Sequence, residues 1–166
     1  MATLEQTVRR DSLGSGRIAC VFLTCFRSDF AFLANLLHYS GIRMHRAETV
    51  EEADFLLTVT GSTVFLSDVT FVEGTWRDAL AMAGGVHPLV ASLIVADPVD
   101  WPYLSDAFSC GACAVVWKPV DLNDAIHMIR VADQASRDRA IVHRQAGADT
   151  PYTDALPAIP FGSRSR

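Results

Sequence analysis

The chain has 166 residues, enough for one domain of ordinary size with short extensions. Hydrophobic residues make up 50% of it and the formal net charge is −5, which favours a full core and argues against non-specific binding of nucleic acid. Residues 1–16 contain no apolar run of the signal-peptide kind, and no stretch approaches the roughly 18 apolar residues of a membrane span. We therefore expect a cytoplasmic protein that binds neither membranes nor nucleic acid and keeps its four cysteines reduced.

From Arg17 onward, short apolar runs alternate with amphipathic segments. The runs are typical of strands buried on both faces and lie at residues 18–23, 43–46, 63–66, 90–96 and 113–117. Apolar residues at helical spacing follow each run, in stripes that include Phe26–Leu37, Val50–Leu57, Trp76–Ala83, Trp101–Phe108 and Leu122–Ile129. Five β–α units in succession predict a doubly wound α/β fold, a parallel sheet with helices on both faces.

The ends of the chain have a different composition from its centre. Residues 1–16 are polar and contain Gly and Ser, and the last helical stripe fades before Arg139. Residues 140–166 contain three prolines among small and polar residues. We predict one folded domain over residues 17–139, with a flexible segment at 1–16 and a flexible tail at 140–166.

One carboxylate and one ammonium group follow separate strands of the predicted sheet. Asp68 comes after the third strand and Lys118 after the fifth, and functional residues of open parallel sheets gather at these carboxyl ends. A nearby ammonium keeps a carboxylate ionised, and such a carboxylate can accept a phosphoryl group whose charge the ammonium stabilises. A purely structural ion pair is the equally open alternative.

Several segments resemble the receiver domains of two-component response regulators. Phe65-Leu-Ser-Asp-Val69 is similar to the phosphoacceptor strand of that family, and Gly111-Ala-Cys-Ala-Val-Val-Trp-Lys-Pro119 is similar to its fifth strand. Ala47–Ala53 and the Leu36-Leu37…Gly41 ending of the first helix match it as well. The resemblance spans roughly residues 17–135 and implies a flavodoxin-like (βα)5 sheet with strand order 2-1-3-4-5. It also implies a phosphoacceptor at Asp68, the phosphate-site lysine at Lys118 and a cis peptide bond before Pro119.

Other family positions carry different chemistry here. Thr24 and Cys25 occupy the positions of the acidic pair that holds Mg²⁺, and neither supplies the carboxylate that this ion prefers. Val95 replaces the hydroxyl residue and Val115 the aromatic switch residue. The loop after Asp68 lacks the usual proline and is about two residues short. The sequence therefore predicts an atypical receiver-like protein with an incomplete Mg²⁺ and phosphorylation site, which is not an enzyme and signals through protein contacts.

Two alternatives keep phosphorylation chemistry at Asp68. In the first, Asp97, Glu73 or Asp29 supplies a substitute ligand for Mg²⁺. In the second, Arg27 at the start of the first helix acts as a fixed cation in place of the metal. Apart from these, no cofactor is predicted.

A third alternative uses the Cys110-Gly-Ala-Cys113 motif as a redox or metal-responsive module. The motif lies between the fourth helix and the fifth strand, away from the carboxyl edge of the sheet, and no second pair or nearby His completes a zinc site.

The expected partner is a histidine kinase or a downstream effector protein. The face formed by helix four, strand five and helix five is the expected surface for that partner or for a homodimer.

Overall fold

The computed structural model describes residues 16–148. Five parallel strands form its central sheet in the order β2-β1-β3-β6-β7, and a two-stranded hairpin, β4 with β5, lies beside it. Their bounds are β1 Ile18–Leu23, β2 Ile42–Ala47, β3 Val64–Asp68, β4 Thr70–Phe71, β5 Gly74–Thr75, β6 Ala91–Ala96 and β7 Ala112–Trp117. Counted without the hairpin, the order is 2-1-3-4-5. The predicted flavodoxin-like, doubly wound sheet is therefore confirmed.

Helices cover both faces of the sheet. They are α1 Arg27–His38, α2 Val50–Thr60, α3 Trp76–Val86 and α4 Leu122–Ala148, with a 3₁₀ helix at Pro98–Tyr103. Alternate residues of β1 point to opposite faces, so Cys20 and Phe22 pack with α1 and α4, whereas Val21 and Leu23 pack with α2 and α3. This double burial explains why β1 is a continuous apolar run. No helix within residues 16–148 is both long and apolar enough to cross a membrane.

The predicted fourth helix over Trp101–Phe108 is wrong. A 3₁₀ helix and a series of turns occupy this connection instead. Pro102 lies inside the 3₁₀ helix and has no backbone N–H to donate, which disfavours an α-helix there. Leu104 and Ala107 are still buried, but Trp101 is 58% exposed, contrary to its place on the predicted stripe.

The last helix continues to Ala148, beyond the end before Arg139 that the sequence predicted. Side chains 141–147 are exposed, so the apolar stripe used for that prediction had already ended. Hydrogen bonds from Arg137 to Asp133 and from Gln134 to Asp138, each one helical turn apart, stabilise the helix just before Arg139. Residues 1–15 and 149–166 lie outside the described residues, and the predicted flexibility of those segments stays a prediction.

Candidate functional site

The register of the sheet brings the ends of β1, β3, β6 and β7 to one edge. Asp68, the last residue of β3, pairs with Val95 of β6. The backbone N–H of Lys118, just after β7, donates to the carbonyl of Ala96 at 2.9 Å. Thr24 follows β1 at the same edge, and its N–H donates to Ala47 at the end of β2. The peptide bond between Lys118 and Pro119 is cis, as the resemblance implies.

Asp68 and Lys118 form a largely buried ion pair at this edge. Their atoms Oδ1 and Nζ lie 3.4 Å apart, and their side chains are 4% and 21% exposed respectively. Within residues 16–148, neither carboxylate oxygen of Asp68 has a hydrogen-bond partner, and both are shielded from solvent. Burial raises the pKa of Asp68, although the Thr24 hydroxyl and the Lys118 ammonium act in the opposite direction. Asp68 is thus a carboxylate that its surroundings stabilise poorly.

Lys118 makes its hydrogen bond to a different acid. Its Nζ donates to Oδ2 of Asp29, in the first turn of α1, at 3.0 Å. The same nitrogen lies 5.5 Å from the centroid of the Phe26 ring. Burial acts to lower the pKa of Lys118, but the hydrogen bond to Asp29 and the charges of Asp68 and Asp29 raise it overall. One ammonium group therefore serves two carboxylates, and the sequence did not predict this arrangement.

Thr24 and Cys25, which the resemblance puts at the positions of the acidic pair, have other partners in the structure. The Thr24 side chain is fully buried, and its hydroxyl accepts a hydrogen bond from the N–H of Phe26 at 3.1 Å. The carbonyl of Cys25 accepts one from Arg46 at 3.4 Å. Among residues 16–148, no group of three or more His, Cys, Asp or Glu side chains is arranged to hold a metal ion. The residues present at this edge do not fit Mg²⁺, which requires oxygen ligands in near-octahedral geometry.

The proposed substitutes for the acidic pair are engaged elsewhere or lie to one side. Asp97 and Asp100 form a capping box on the 3₁₀ helix, and both line a cavity of about 210 Å³ together with Asp68 and Lys118. Glu73 is an exposed residue of the turn between β4 and β5. Asp29 is bound to Lys118. Within residues 16–148, the structure does not assemble these acids into a metal site.

The hypothesis that Arg27 acts as a fixed cation beside Asp68 is wrong. Its side chain is 83% exposed and pairs with Glu48 at 3.6 Å. Arg46, near the end of β2, was missed from the sequence although it is the more buried of the two arginines, with a side chain only 18% exposed. By bonding both Glu48 and the carbonyl of Cys25, Arg46 fixes the loop after β1.

Val95 and Val115, predicted from the resemblance to stand at the hydroxyl and aromatic positions of receiver domains, belong to the core. Val95 is 2% exposed and lines the cavity beside Asp68, whereas Val115 is 6% exposed and packs with Trp76, Leu80 and Ile94. Neither side chain can accept or donate a hydrogen bond. A change at Asp68 therefore has no polar contact to either position.

The cysteines of the C-x-x-C motif face different helices. Cys110 Sγ lies 3.8 Å from a guanidinium nitrogen of Arg77 in α3, and Cys113 Sγ lies 3.5 Å from one of Arg139 in α4. Because α3 and α4 cover opposite faces of the sheet, this arrangement does not favour a disulfide between the two thiols. All four cysteines are free thiols.

Comparison with known proteins identifies the fold through structure alone. No family model matches the sequence, and none of the curated proteins matches it. A response-regulator receiver domain from Clostridium thermocellum aligns with a TM-score of 0.66 at 18% identity, over 75% of this chain and 98% of that one. A response-regulator receiver protein from Pseudomonas putida aligns with a TM-score of 0.62 at 18% identity, over 69% and 97%.

The same fold occurs in a protein described by a different activity. The structure of an adenylate cyclase from Rhodopirellula baltica aligns with a TM-score of 0.69 at 13% identity, over 81% of this chain and 99% of that one. Identities this low show the fold and leave the function open. The chain is thus a doubly wound α/β domain, and more specifically it has the fold of response-regulator receiver domains.

Proposed function

We propose that this chain is an atypical receiver-like domain of two-component signal transduction, located in the cytoplasm, which acts by binding other proteins and turns over no substrate. The observation that carries the proposal is the state of the Asp68 carboxylate. Asp68, which the resemblance puts at the phosphoacceptor position, lies beside Lys118, yet within the described part of the chain its oxygens are shielded from solvent and have no hydrogen-bond partner.

The chemistry of the site supports binding over phosphoryl transfer. Transfer to an aspartate adds negative charge, which Mg²⁺ normally neutralises. Here Thr24 and Cys25 offer no carboxylate, and the one ammonium present is already shared by Asp68 and Asp29. A phosphoryl group at Asp68 would therefore increase an existing excess of negative charge.

Exposed aromatic side chains on the connection between β6 and β7 support a surface for protein contacts there. Trp101 and Tyr103 are 58% and 69% exposed, and the Trp101 ring contacts Trp117 of β7 with centroids 5.8 Å apart. Large exposed aromatic side chains are enriched where proteins bind one another. We propose this aromatic surface, Trp101, Tyr103 and Trp117, as the site for a histidine kinase, an effector or a second copy of the chain.

Incubation with acetyl phosphate and Mg²⁺ tests the proposed state of the site. We expect intact-protein mass spectrometry to show no phosphoryl adduct on the wild-type chain under conditions that fully modify a conventional receiver. Asp68→Asn is the matched control, because it cannot form the acyl phosphate. A stoichiometric adduct that disappears in Asp68→Asn would overturn the atypical interpretation and support the conventional one, with substitute metal ligands.

The binding surface has a separate test. We expect Trp101→Ser with Tyr103→Ser to weaken partner binding or self-association more than Asp68→Asn does, because the aromatic rings supply contact area directly. Light scattering over a range of concentrations, with and without Mg²⁺, measures self-association. Equal binding by the double variant and the wild type would exclude this surface.

A further inference from the structure

The usual contacts that carry a change away from a receiver's phosphoacceptor are replaced by valines in this chain. Val95 and Val115 are buried and have no polar atoms. A change of charge at Asp68 therefore has no polar contact with either valine, and the polar side chains that act on Asp68 are those of Thr24 and Lys118. Among the described residues, Lys118 is the charged side chain paired with Asp68.

Lys118 connects Asp68 to helix α1. Its Nζ lies 3.4 Å from Oδ1 of Asp68 and 3.0 Å from Oδ2 of Asp29, and only the second contact has hydrogen-bond geometry. Asp29 lies in the first turn of α1, where a carboxylate is also favoured by the helix dipole. The ammonium therefore sits between a carboxylate on β3 and one on α1, and its attraction to one competes with its attraction to the other.

We propose that Asp29 is the positioning residue through which the state of Asp68 reaches helix α1. More negative charge at Asp68 draws Lys118 away from Asp29 and loosens the start of α1. Less negative charge at Asp68 strengthens the contact between Lys118 and Asp29 and tightens the start of α1. The inference goes beyond the proposed function, which assigns no modification to Asp68, and concerns any change of charge at that carboxylate.

A movement of Lys118 relative to Asp29 would change a cavity that lies beside these two residues. Helix α1 and the segment after β7 together line a cavity of about 330 Å³, whose walls include Phe32, Leu33, Pro119 and Val120 beside Asp29 and Lys118. Phe32 is 58% exposed. A change in the contact between Asp29 and Lys118 alters the spacing of the two walls and the surface that α1 presents. The proposed effect of Asp68 therefore reaches helix α1 and does not involve the aromatic surface around Trp101.

A double-mutant cycle with hydrogen exchange tests the proposal on the intact chain. Asp68→Asn removes the competing charge, so we expect the amides of α1 from Phe30 to Leu33 to exchange roughly two- to tenfold more slowly relative to Leu80 of α3. The reference to Leu80 separates a local effect on α1 from a change in global stability. In the Asp29→Asn background, Asp68→Asn is expected to leave the exchange rate of these α1 amides unchanged relative to that of Leu80.

Matched variants define the outcome. Asp124→Asn removes an exposed acid from the first turn of α4, and the effect of Asp68→Asn on α1 is expected to persist in that background. Lys118→Gln removes the shared ammonium and is expected to abolish the effect, as Asp29→Asn does. An equal response of α1 and α3, or a response that survives Asp29→Asn, overturns the proposal. Phosphoryl labelling of Asp68 would overturn the proposed function and leave this cycle interpretable.

Discussion

Asp29 accepts a 3.0 Å hydrogen bond from Lys118, although the two residues are 89 positions apart in the sequence. Asp29 lies in helix α1, and Lys118 follows strand β7. With Asp68 at 3.4 Å from the same nitrogen, two carboxylates share one ammonium. The three groups carry a net charge of −1 when all are ionised. A single ammonium cannot neutralise both carboxylates, so the shared lysine leaves part of their negative charge uncompensated. This charge has effects on stability that can be measured.

Asp68→Asn is expected to stabilise the protein at neutral pH. Burial raises the pKa of Asp68 in the folded state, so the wild type has its full stability below the pKa of the unfolded chain and loses part of it as the pH rises through the folded pKa. Asparagine carries no charge and escapes this loss. Thermal unfolding at pH 7 should show an increase in the free energy of unfolding that exceeds roughly 0.5 kcal/mol, the range within which most surface substitutions fall. An unchanged or lower midpoint at pH 7 would contradict the account of a poorly stabilised carboxylate.

Lys118→Gln is expected to destabilise the fold by about 1–3 kcal/mol, because it leaves the buried Asp68 without a counter-ion. Part of this loss should disappear in the Asp68→Asn background, where no buried charge remains. The pKa of Lys118 is raised, so its contribution is present below the unfolded value of 10.5 and is lost as the pH rises through the higher folded value. Urea unfolding of the two single variants and the double variant measures the coupling. Additive effects would show that the two side chains do not interact.

Gly74→Ala is expected to destabilise the protein by about 1–3 kcal/mol. A Cβ atom at this position would lie 2.8 Å from Cε2 of Phe71 and 2.9 Å from Oδ2 of Asp78. The Phe71 ring is 7% exposed, and Asp78 belongs to the capping box of α3, so neither can move without loss. Gly84→Ala is the matched control, because a Cβ there meets no atom within 4 Å. Denaturation midpoints of the two variants give the comparison, and equal midpoints would contradict the predicted clash.

The thiols are expected to react with a reagent such as 5,5′-dithiobis(2-nitrobenzoate) in an order set by exposure. Cys110 is exposed and should react first, whereas Cys20 is fully buried and should react only after unfolding. Burial, together with the charge of Asp133, also raises the pKa of Cys20, which keeps it as the unreactive thiol. Mass spectrometry after mild oxidation should find no bond between Cys110 and Cys113. Ready formation of that disulfide would revive the redox alternative.

The sequence predicted the edge of the sheet better than the contacts made there. Asp68 and Lys118 could be placed together because the ends of parallel strands meet at one edge, whatever the details of packing. Asp29 was considered only as a metal ligand, since nothing in its local sequence indicates which way α1 turns its first acid. Apolar spacing predicts a fourth helix, but Pro102 has no backbone N–H to donate, which disfavours an α-helix in this connection.

The sequence by itself determined a doubly wound parallel sheet and the chemical types at its carboxyl edge, because alternating apolar runs and helical stripes depend on local spacing. The strand order followed only from the resemblance to receiver domains. The sequence also determined that positions 95 and 115 carry valines, whose side chains have no polar atom, since side-chain identity needs no structure. Only the tertiary structure decided which carboxylate receives the hydrogen bond of Lys118. That choice depends on distances of 3.0 and 3.4 Å between groups that the fold brings together from α1, β3 and the segment after β7.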